Sequence, residues 1–595
     1  MTQYCLNERD LAFQLFEVLK IERLFKSEYY QDYNREMVGA SLDTARKVAG
    51  EYFAPFYAKG DQNEPGFDGE KVHLVPEMQA AWDHFAEAGF LAATHDYAVG
   101  GMQMPHVVAN ACMSYFYGAN VAFAGYGMLT LGAGNLIRSF GSEDQKARYL
   151  APMLDGRFSG TMALTEAGQG SSLADITTTA ELQPDGSYRL SGSKMFISAG
   201  DHELSENIIH MVLARIKGAP AGIKGISLFI CPKYLVDEAG QVGARNDVKL
   251  AGLLHKMGYR QTSSTVLNFG EEGRCEATLV GEVHQGLSYM FQMMNEARIG
   301  VGLGATMLGY TGYLRSLDYA RERPQGRHPS NKNPESKQLA IIEHADVRRM
   351  LLAQKAYVEG SYALCLYASM LVDEIKCAEN DTERKKAADL LEMLTPVVKS
   401  FPSEYCLEAN KLAIQILGGS GYMREYPLEQ IYRDNRLNPI HEGTTGIQAL
   451  DLLGRKALQN NGALYRTLAE AITETLTEAA AHESLLPLSQ PLEKALKRAH
   501  HVTASLGADI MADPDKGLAN ASLYLDMMGR IILSWMWLRQ AIVAVSGLRD
   551  DQDFYQGKLQ AARYFIEWEL PTAHAHADLL MQSNPVCYEM KDQWF

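Results

Sequence analysis

Glu442 stands in the loop Pro439-Ile440-His441-Glu442-Gly443-Thr444-Thr445-Gly446-Ile447-Gln448, beside a glycine and at the mouth of an apolar helical run. A carboxylate on a tight loop that can be shielded from water is a candidate base for a weakly acidic C–H. A second group lies upstream, in Met162–Asp175 (MALTEAGQGSSLAD). Its glycines let backbone amides approach an anion closely, and its hydroxyls add donors. No Gly-Lys-Ser/Thr is present, so it is not the phosphate loop of nucleoside triphosphatases. On these residues alone an ordinary glycine turn fits as well as a cofactor site. Arg323, in Tyr319–Arg327 (YARERPQGR), suits charge pairing with a pyrophosphate; a solvated surface arginine is the plain alternative. His500, His501, His574 and His576 lack matched carboxylates at metal spacing, so no metal site is expected.

These residues need elements to hold them. The chain has 595 residues, which makes about four domain-sized units the prior. Residues up to about 155 read as helical, with Ser142 as an N-cap before an acidic first turn. From Gly160 the character changes to short segments rich in β-formers, such as Ile208–Ile216 (IIHMVLARI), with a turn at Pro184-Asp185-Gly186-Ser187. Helical spacing returns from Gly286, and His344–Ile375 reads as one long helix. The pattern Gly300-Val301-Gly302-Leu303-Gly304 lies inside such a helix with no strand before it, so close helix packing is expected there and no dinucleotide site. Met290, Met293 and Met294 read as core residues. Beyond Arg455 the chain stays helix-like, with breaks expected at Leu485–Pro491 and Ala512–Gly517.

Composition narrows the function. Hydrophobic residues make up 47% and charged residues 22%, ordinary for a globular protein. The formal charge of −16 disfavours nucleic acid as a partner. The eight cysteines are scattered without a CxxC pair, which points to free thiols in a reducing compartment. No signal peptide opens the sequence, and Ile531–Leu538, bracketed by Arg530 and Arg539, is too short to span a bilayer. A cytoplasmic location is expected, with peripheral attachment to a membrane as the alternative.

Six segments, in order over about 300 residues, resemble those of the acyl-CoA dehydrogenase family: Thr165–Ser171, Lys194–Gly200, Lys256–Ser264, Asn295–Arg298, Arg323–Arg327 and Gln415–Tyr422. The loop at Glu442 resembles the Glu-Gly-Thr segment that carries this family's catalytic base. The resemblance implies an α+β architecture: an N-terminal helical domain (1–157), a middle β domain (158–282), a C-terminal four-helix bundle (283–456) and an additional helical domain (457–595). It implies FAD as cofactor. Leu164 and Thr165 would meet the isoalloxazine edge, Phe196 would pack on the flavin, and Ser198 would bond near its N5. Ser171 would reach the pyrophosphate and the pantetheine chain. Arg323, Gln325, Gln415, Gly418 and Gly419 would serve the adenylate half across a subunit interface. Thr444 and Gly446 are assigned to the flavin as well, and Gly443, Asn295 and Arg298 to the acyl-CoA. Some members place the base immediately before the arginine of the Asn295–Arg298 helix; here that position is Ala297, and Glu296 points about 100° away.

The activity so implied is α,β-dehydrogenation of an acyl-CoA thioester to trans-2-enoyl-CoA in fatty-acid β-oxidation. Electrons would pass to an electron-transferring flavoprotein, and the protein would be a homo-oligomer, with a dimer expected. Small apolar residues at Ala124, Gly125, Gly127 and Met128, in a helix resembling the one that lines the acyl pocket, favour a medium to long chain. The extension also resembles that of 3-methylthiopropionyl-CoA dehydrogenases. An acyl-CoA oxidase and a non-catalytic acyl-CoA-binding protein are the remaining alternatives.

Overall fold

The computed structural model describes residues 5–595, apart from the side chains of Gln292, Met293 and Met294, so the expectation for Met293 and Met294 lies outside the described residues. The chain divides into two units, Glu36–Gly300 and the segment up to Arg35 together with Val301–Phe595.

In the first unit, helix α1 (His106–Phe140) is interrupted at Asn120, whose φ of −164° and ψ of 81° leave the helical region. The Asn120 carbonyl oxygen Oδ1 accepts from the Phe123 N–H, so the interruption serves as a side-chain cap for the second half of the helix. Ser142 forms the expected cap, as a full capping box with Gln145.

The β domain follows: β1 (Phe158–Ala163), β2 (Thr179–Leu182), β3 (Tyr188–Ser198), β4 (Asn207–Ile216), β5 (Ile226–Pro232), β6 (Val248–Leu253), β7 (Ser264–Phe269) and β8 (Glu276–Leu279). Their order is β6-β7-β3-β8-β5-β4-β1, with β2 pairing both β3 and β4. Strand β4 is apolar along its length because both faces are covered. Ile209, Met211 and Leu213 join the core that holds Leu136, Ile137 and Met153, while Val212 and Ala214 join one with Leu190, Ile197 and Phe229. The turn after Pro184 closes as expected, with Gly186 at φ 86°. Met290 is buried.

The second unit is helical. Its main elements are α2 (Gly286–Glu322), whose part up to Gly300 belongs to the first unit, α3 (Ala345–Cys377), α4 (Asp381–Leu417), α5 (Thr445–Leu450), α6 (Gln459–Ala479), α7 (Leu486–Ala512) and α8 (Ala521–Gly547). Helix α4 carries Pro396 and Pro402 in its interior. A proline lacks the N–H that would bond the carbonyl four residues back. The freed acceptors find other neighbours: Lys456 Nζ donates to the Glu392 carbonyl at 2.8 Å, and a β-carbon on Gly302 would lie only 2.1 Å from the Val398 oxygen. Glycine at 302 therefore serves close helix packing, as the sequence suggests.

The expected break at Leu485–Pro491 is instead the start of α7, with Pro487 in its first turn, where no N–H is needed, and Pro491 inside the helix. Asp513 does separate helices, capping the next one through the Lys516 N–H. Ile531–Leu538 lies in α8 and is buried. Among the described residues no helix is long and apolar enough to cross a membrane. All eight cysteines are free, and Cys587 alone among them is exposed.

The segment before Arg35 is locked into this unit by buried charge. Lys558 Nζ, fully buried, donates to Asp10 Oδ1, to Glu359 Oε2 at 2.7 Å and to Gln540 Oε1 at 3.2 Å. Tyr310 donates to the other Asp10 oxygen at 2.7 Å, and Gln14 bridges Asp10 and Gln540.

Candidate active site

In the first unit the glycine-rich segment is stitched to the end of β3. Lys194 Nζ, buried, donates to the Leu164 carbonyl and to Glu166 Oε1, both at 2.9 Å, and the Met195 N–H donates to the Thr165 carbonyl at 2.9 Å. This brings Phe196 alongside Thr165. Phe196 has φ 58° and is 60% exposed, an apolar ring held out of the core by a left-handed backbone. Ser198 pairs with Ser264 across β7. Past Thr165 the loop opens: β-carbons on Gly168 and Gly170 would meet nothing within 4 Å, and Ser171 is exposed. An uncovered phenyl ring beside an open loop of glycines and hydroxyls fits a flat ring system with a phosphate tail.

Glu166 is the hub of this loop. Its carboxylate accepts from the N–H and hydroxyl of both Thr177 and Thr178 and from Lys194. Burial alone would raise its pKa; the Thr178 hydroxyl, the Thr177 N–H and Lys194 outweigh that and hold it at about 2. The folded pKa is depressed, so the stabilisation is complete above the ordinary carboxylate range and fades as pH falls toward 2. Glu166→Gln should cost about 2 kcal/mol at neutral pH. Thermal melts across pH check this: the gap between wild type and variant should narrow steadily in acid, and a constant gap would contradict it.

Asn295 and Arg298 sit one turn apart on α2, half-buried and buried. Glu296, between them, turns away and accepts from Asn135 Nδ2 of α1 at 2.8 Å. In the 121–134 stretch of α1, Ala124 is buried and Met128 half-buried. A β-carbon on Gly127 would lie 2.8 Å from the ring of Phe85, so that glycine is explained by packing. One on Gly300 would lie 3.5 Å from Met128 Sδ, which places Met128 against α2.

In the second unit the arginine loop and the Gly418 turn are brought together. Tyr319, one turn before Arg323, donates to Ser420 Oγ at 3.5 Å and meets Tyr426 edge-on. Arg323, Gln325, Gln415, Gly418 and Gly419 are all exposed. Gly418 has φ 57° and ψ −134°, a conformation that side chains resist, and a β-carbon there or at Gly419 would meet no atom. Tyr422, 86% exposed, and Met423 stand beside this turn.

The Glu442 loop lies between a short helix, Leu428–Asn435, and α5. Glu442 takes φ 52° and Gly443 φ 85°, two consecutive left-handed residues. For a glutamate that conformation costs about 1 kcal/mol or more and persists only where its surroundings enforce it. The restraints are visible. Gln448 Nε2 donates to the Glu442 carbonyl at 3.0 Å, Lys399 Nζ to the Gly443 carbonyl at 2.7 Å, and the Thr445 hydroxyl to Glu404 at 2.6 Å. Thr444 caps α5 through the Ile447 N–H, and Gly446 opens that helix exposed. Ahead of Glu442, His441 Nε2 bonds Asn438 Oδ1 at 3.0 Å. Asn438 donates to Asn435, Asn435 to Asn410, and Asn410 to the Leu308 carbonyl. Burial, then the charge of Lys399, press the His441 pKa down to about 3, so its ring is neutral.

Sequence reasoning named Lys194 only as the start of its motif, and did not single out Lys399 or this asparagine ladder. Lys399 had a signal: it is a lone charge in the apolar stretch Leu394–Phe401. The ladder had none, because its partners are spread over α2, α4 and the base loop.

Four family models cover nearly the whole chain. They describe the acyl-CoA dehydrogenase N-terminal domain (39–157), middle domain (161–271) and C-terminal domain (284–458), and an acetyl-CoA dehydrogenase C-terminal-like domain (468–591). The chain is 36% identical over 568 residues to the 3-methylmercaptopropionyl-CoA dehydrogenase of Ruegeria pomeroyi, covering 94% of this chain and 95% of that one. It is 35% identical to a broad-specificity linear acyl-CoA dehydrogenase of Mycobacterium tuberculosis, covering 96% of each. The solved acyl-CoA dehydrogenase of Bacillus anthracis shares the fold at a TM-score of 0.75 and 22% identity, over 96% of this chain and 91% of that one. On this agreement along its full length, the chain belongs to the acyl-CoA dehydrogenase family and is a flavin-dependent oxidoreductase of acyl-CoA thioesters.

Proposed function

We propose that the protein dehydrogenates linear acyl-CoA thioesters between the α- and β-carbons, with medium to long chains favoured and Glu442 as the base. The observation that carries this reading is the enforced left-handed backbone at Glu442, a strain that the loop's hydrogen bonds hold in place. Glu442 takes the α-proton, its backbone amide donates to the thioester oxygen, and water expelled by the acyl tail strengthens both interactions. Bound FAD supplies the acceptor for the hydride that leaves the β-carbon. In the first unit Leu164, Thr165, Phe196 and Ser198 would hold its ring and Ser171 the chain beyond it; in the second, Thr444 and Gly446 are assigned to the flavin. Asn295 and Arg298 in the first unit and Gly443 in the second are assigned to the thioester.

Arg323, Gln325, Gln415, Gly418 and Gly419 serve the adenylate half of a second copy's cofactor. The exposed Tyr422 and Met423 support an interface there, in a homodimer. Electrons leave to an electron-transferring flavoprotein, and the functional division is 1–157, 158–282, 283–456 and 457–595, except that the segment up to Arg35 packs with the helical unit and not with the rest of 1–157.

Chain preference rests on Ala124 and Met128, small or apolar, where a bulky polar floor would shorten the pocket; each buried methylene adds about 0.8 kcal/mol. A second reading, a short thioether acyl-CoA, is favoured by the 36% identity to the Ruegeria enzyme. Anaerobic bleaching of the flavin across a series of acyl-CoA esters decides between them. The rate constant at saturation should be highest from octanoyl- to palmitoyl-CoA; a maximum at 3-methylthiopropionyl-CoA would replace the first reading with the second. Peroxide formation without an added acceptor would mark an oxidase.

A further inference from the structure

We propose that Lys399 is a positioning residue for Glu442: by holding the carbonyl of Gly443, it sets the direction in which the base leaves its loop. The proposal rests on the reading of Glu442 as the base. Lys399 projects from α4 and is fully buried, and its ammonium meets the Gly443 oxygen at 2.7 Å. A buried ammonium is costly to desolvate, so a contact of this kind is retained where its geometry is used. The carbonyl it holds belongs to the residue just after the base, within the two left-handed residues that define the turn. Turning that peptide would swing the Glu442 side chain.

The helix that presents Lys399 is itself fixed. The Ser403 hydroxyl donates to the Lys399 carbonyl at 2.6 Å, and a β-carbon on Gly529 of α8 would lie 3.0 Å from the ring of Phe401. The same helix grips the chain again after the base, at Thr445 through Glu404 and at Lys456 through the Glu392 carbonyl that Pro396 frees. On the other side of the base, the His441–Asn438–Asn435–Asn410 ladder restrains the incoming chain. Glu442 is therefore held between a ladder of neutral amides and a single buried cation. Burial first, and the charge of Lys399 second, keep His441 from competing as a proton acceptor.

The test separates orientation from binding and from folding. A 3-thia-acyl-CoA carries no hydrogen on its third atom, so it reports α-proton transfer alone. Washout of deuterium from its α-carbon is followed by NMR on the holoenzyme at saturating ligand. Lys399→Met should slow washout about 10- to 100-fold, the penalty for misplacing a reacting group by about an ångström. Ligand affinity and bound flavin should stay within about twofold of wild type, the scatter of such measurements. Lys399→Arg, which keeps a cation on the carbonyl, should recover most of the rate. If Lys399→Met does not fold, Lys399→Gln, whose amide is satisfied in a polar site, is read the same way. Washout that falls only in proportion to flavin content, or an Arg variant no better than Met, would overturn the proposal. Glu442→Gln is the control: washout at the wild-type rate there would refute the base itself, whatever Lys399 does.

Discussion

Glu442→Gln should abolish anaerobic bleaching by acyl-CoA, slowing it by about 10³-fold, in the middle of the range that a positioned general base contributes. The amide keeps the size and the hydrogen-bonding reach of the side chain, so the loop should be unchanged. Gln448 and Lys399 hold backbone carbonyls, which the substitution does not touch. Binding of acyl-CoA should therefore persist, and the variant should stay yellow. That combination, full binding with lost proton transfer, is the signature of an interaction made only in the transition state. Glu296 cannot take over, because its carboxylate is engaged by Asn135 on the other side of its helix, and Ala297 fills the alternative base position. A Gln variant bleached at the wild-type rate would mean that another group removes the proton.

Lys558→Met should destabilise the protein by about 3–5 kcal/mol. Asp10 and Glu359 would be left buried with one cation fewer. Burial alone would raise the Glu359 pKa, and the charges of Lys355 and Lys558 are what hold it low. The loss comes from stranding the carboxylates, so removing them together should restore much of it. The triple variant Asp10→Asn, Glu359→Gln, Lys558→Met should melt well above Lys558→Met alone. Denaturant titration of the two variants checks this; equal melting would show that the lysine contributes through packing, for instance against Phe13 and Trp537.

What the sequence made legible follows from what is local. The β domain could be placed because short strands rich in branched residues, separated by Pro-Asp-Gly turns, leave a pattern within ten residues of chain. The Glu442 loop could be found because a tight turn needs its glycine at a fixed place. Ser142 announced its helix because a cap acts three residues away. Val121–Gly134 reads as a helix, and a helical segment does start there, capped by Asn120; the run from His106 that precedes it was not foreseen. The break expected at Leu485–Pro491 falls a few residues earlier, between Ala479 and Leu486, because Pro487 fits the first turn of the next helix. Lys399 and Lys558 were out of reach for one reason. Their partners lie 44 and 548 residues away, and no local periodicity encodes a contact of that span.

That last separation bears on how the chain is made. Asp10 leaves a ribosome 548 residues ahead of Lys558. At about 5–20 residues per second the wait is roughly half a minute to two minutes. During that time the opening segment has neither its cation nor the helix that presents it. Phe13 and Leu15, both fully buried in the finished molecule, stay uncovered while the β domain is already complete. Newly made chains should thus pass through a stage in which the β domain is folded and the segment around Asp10 still waits for Lys558. In that interval holdase chaperones, and proteases that read exposed apolar segments, would have their access.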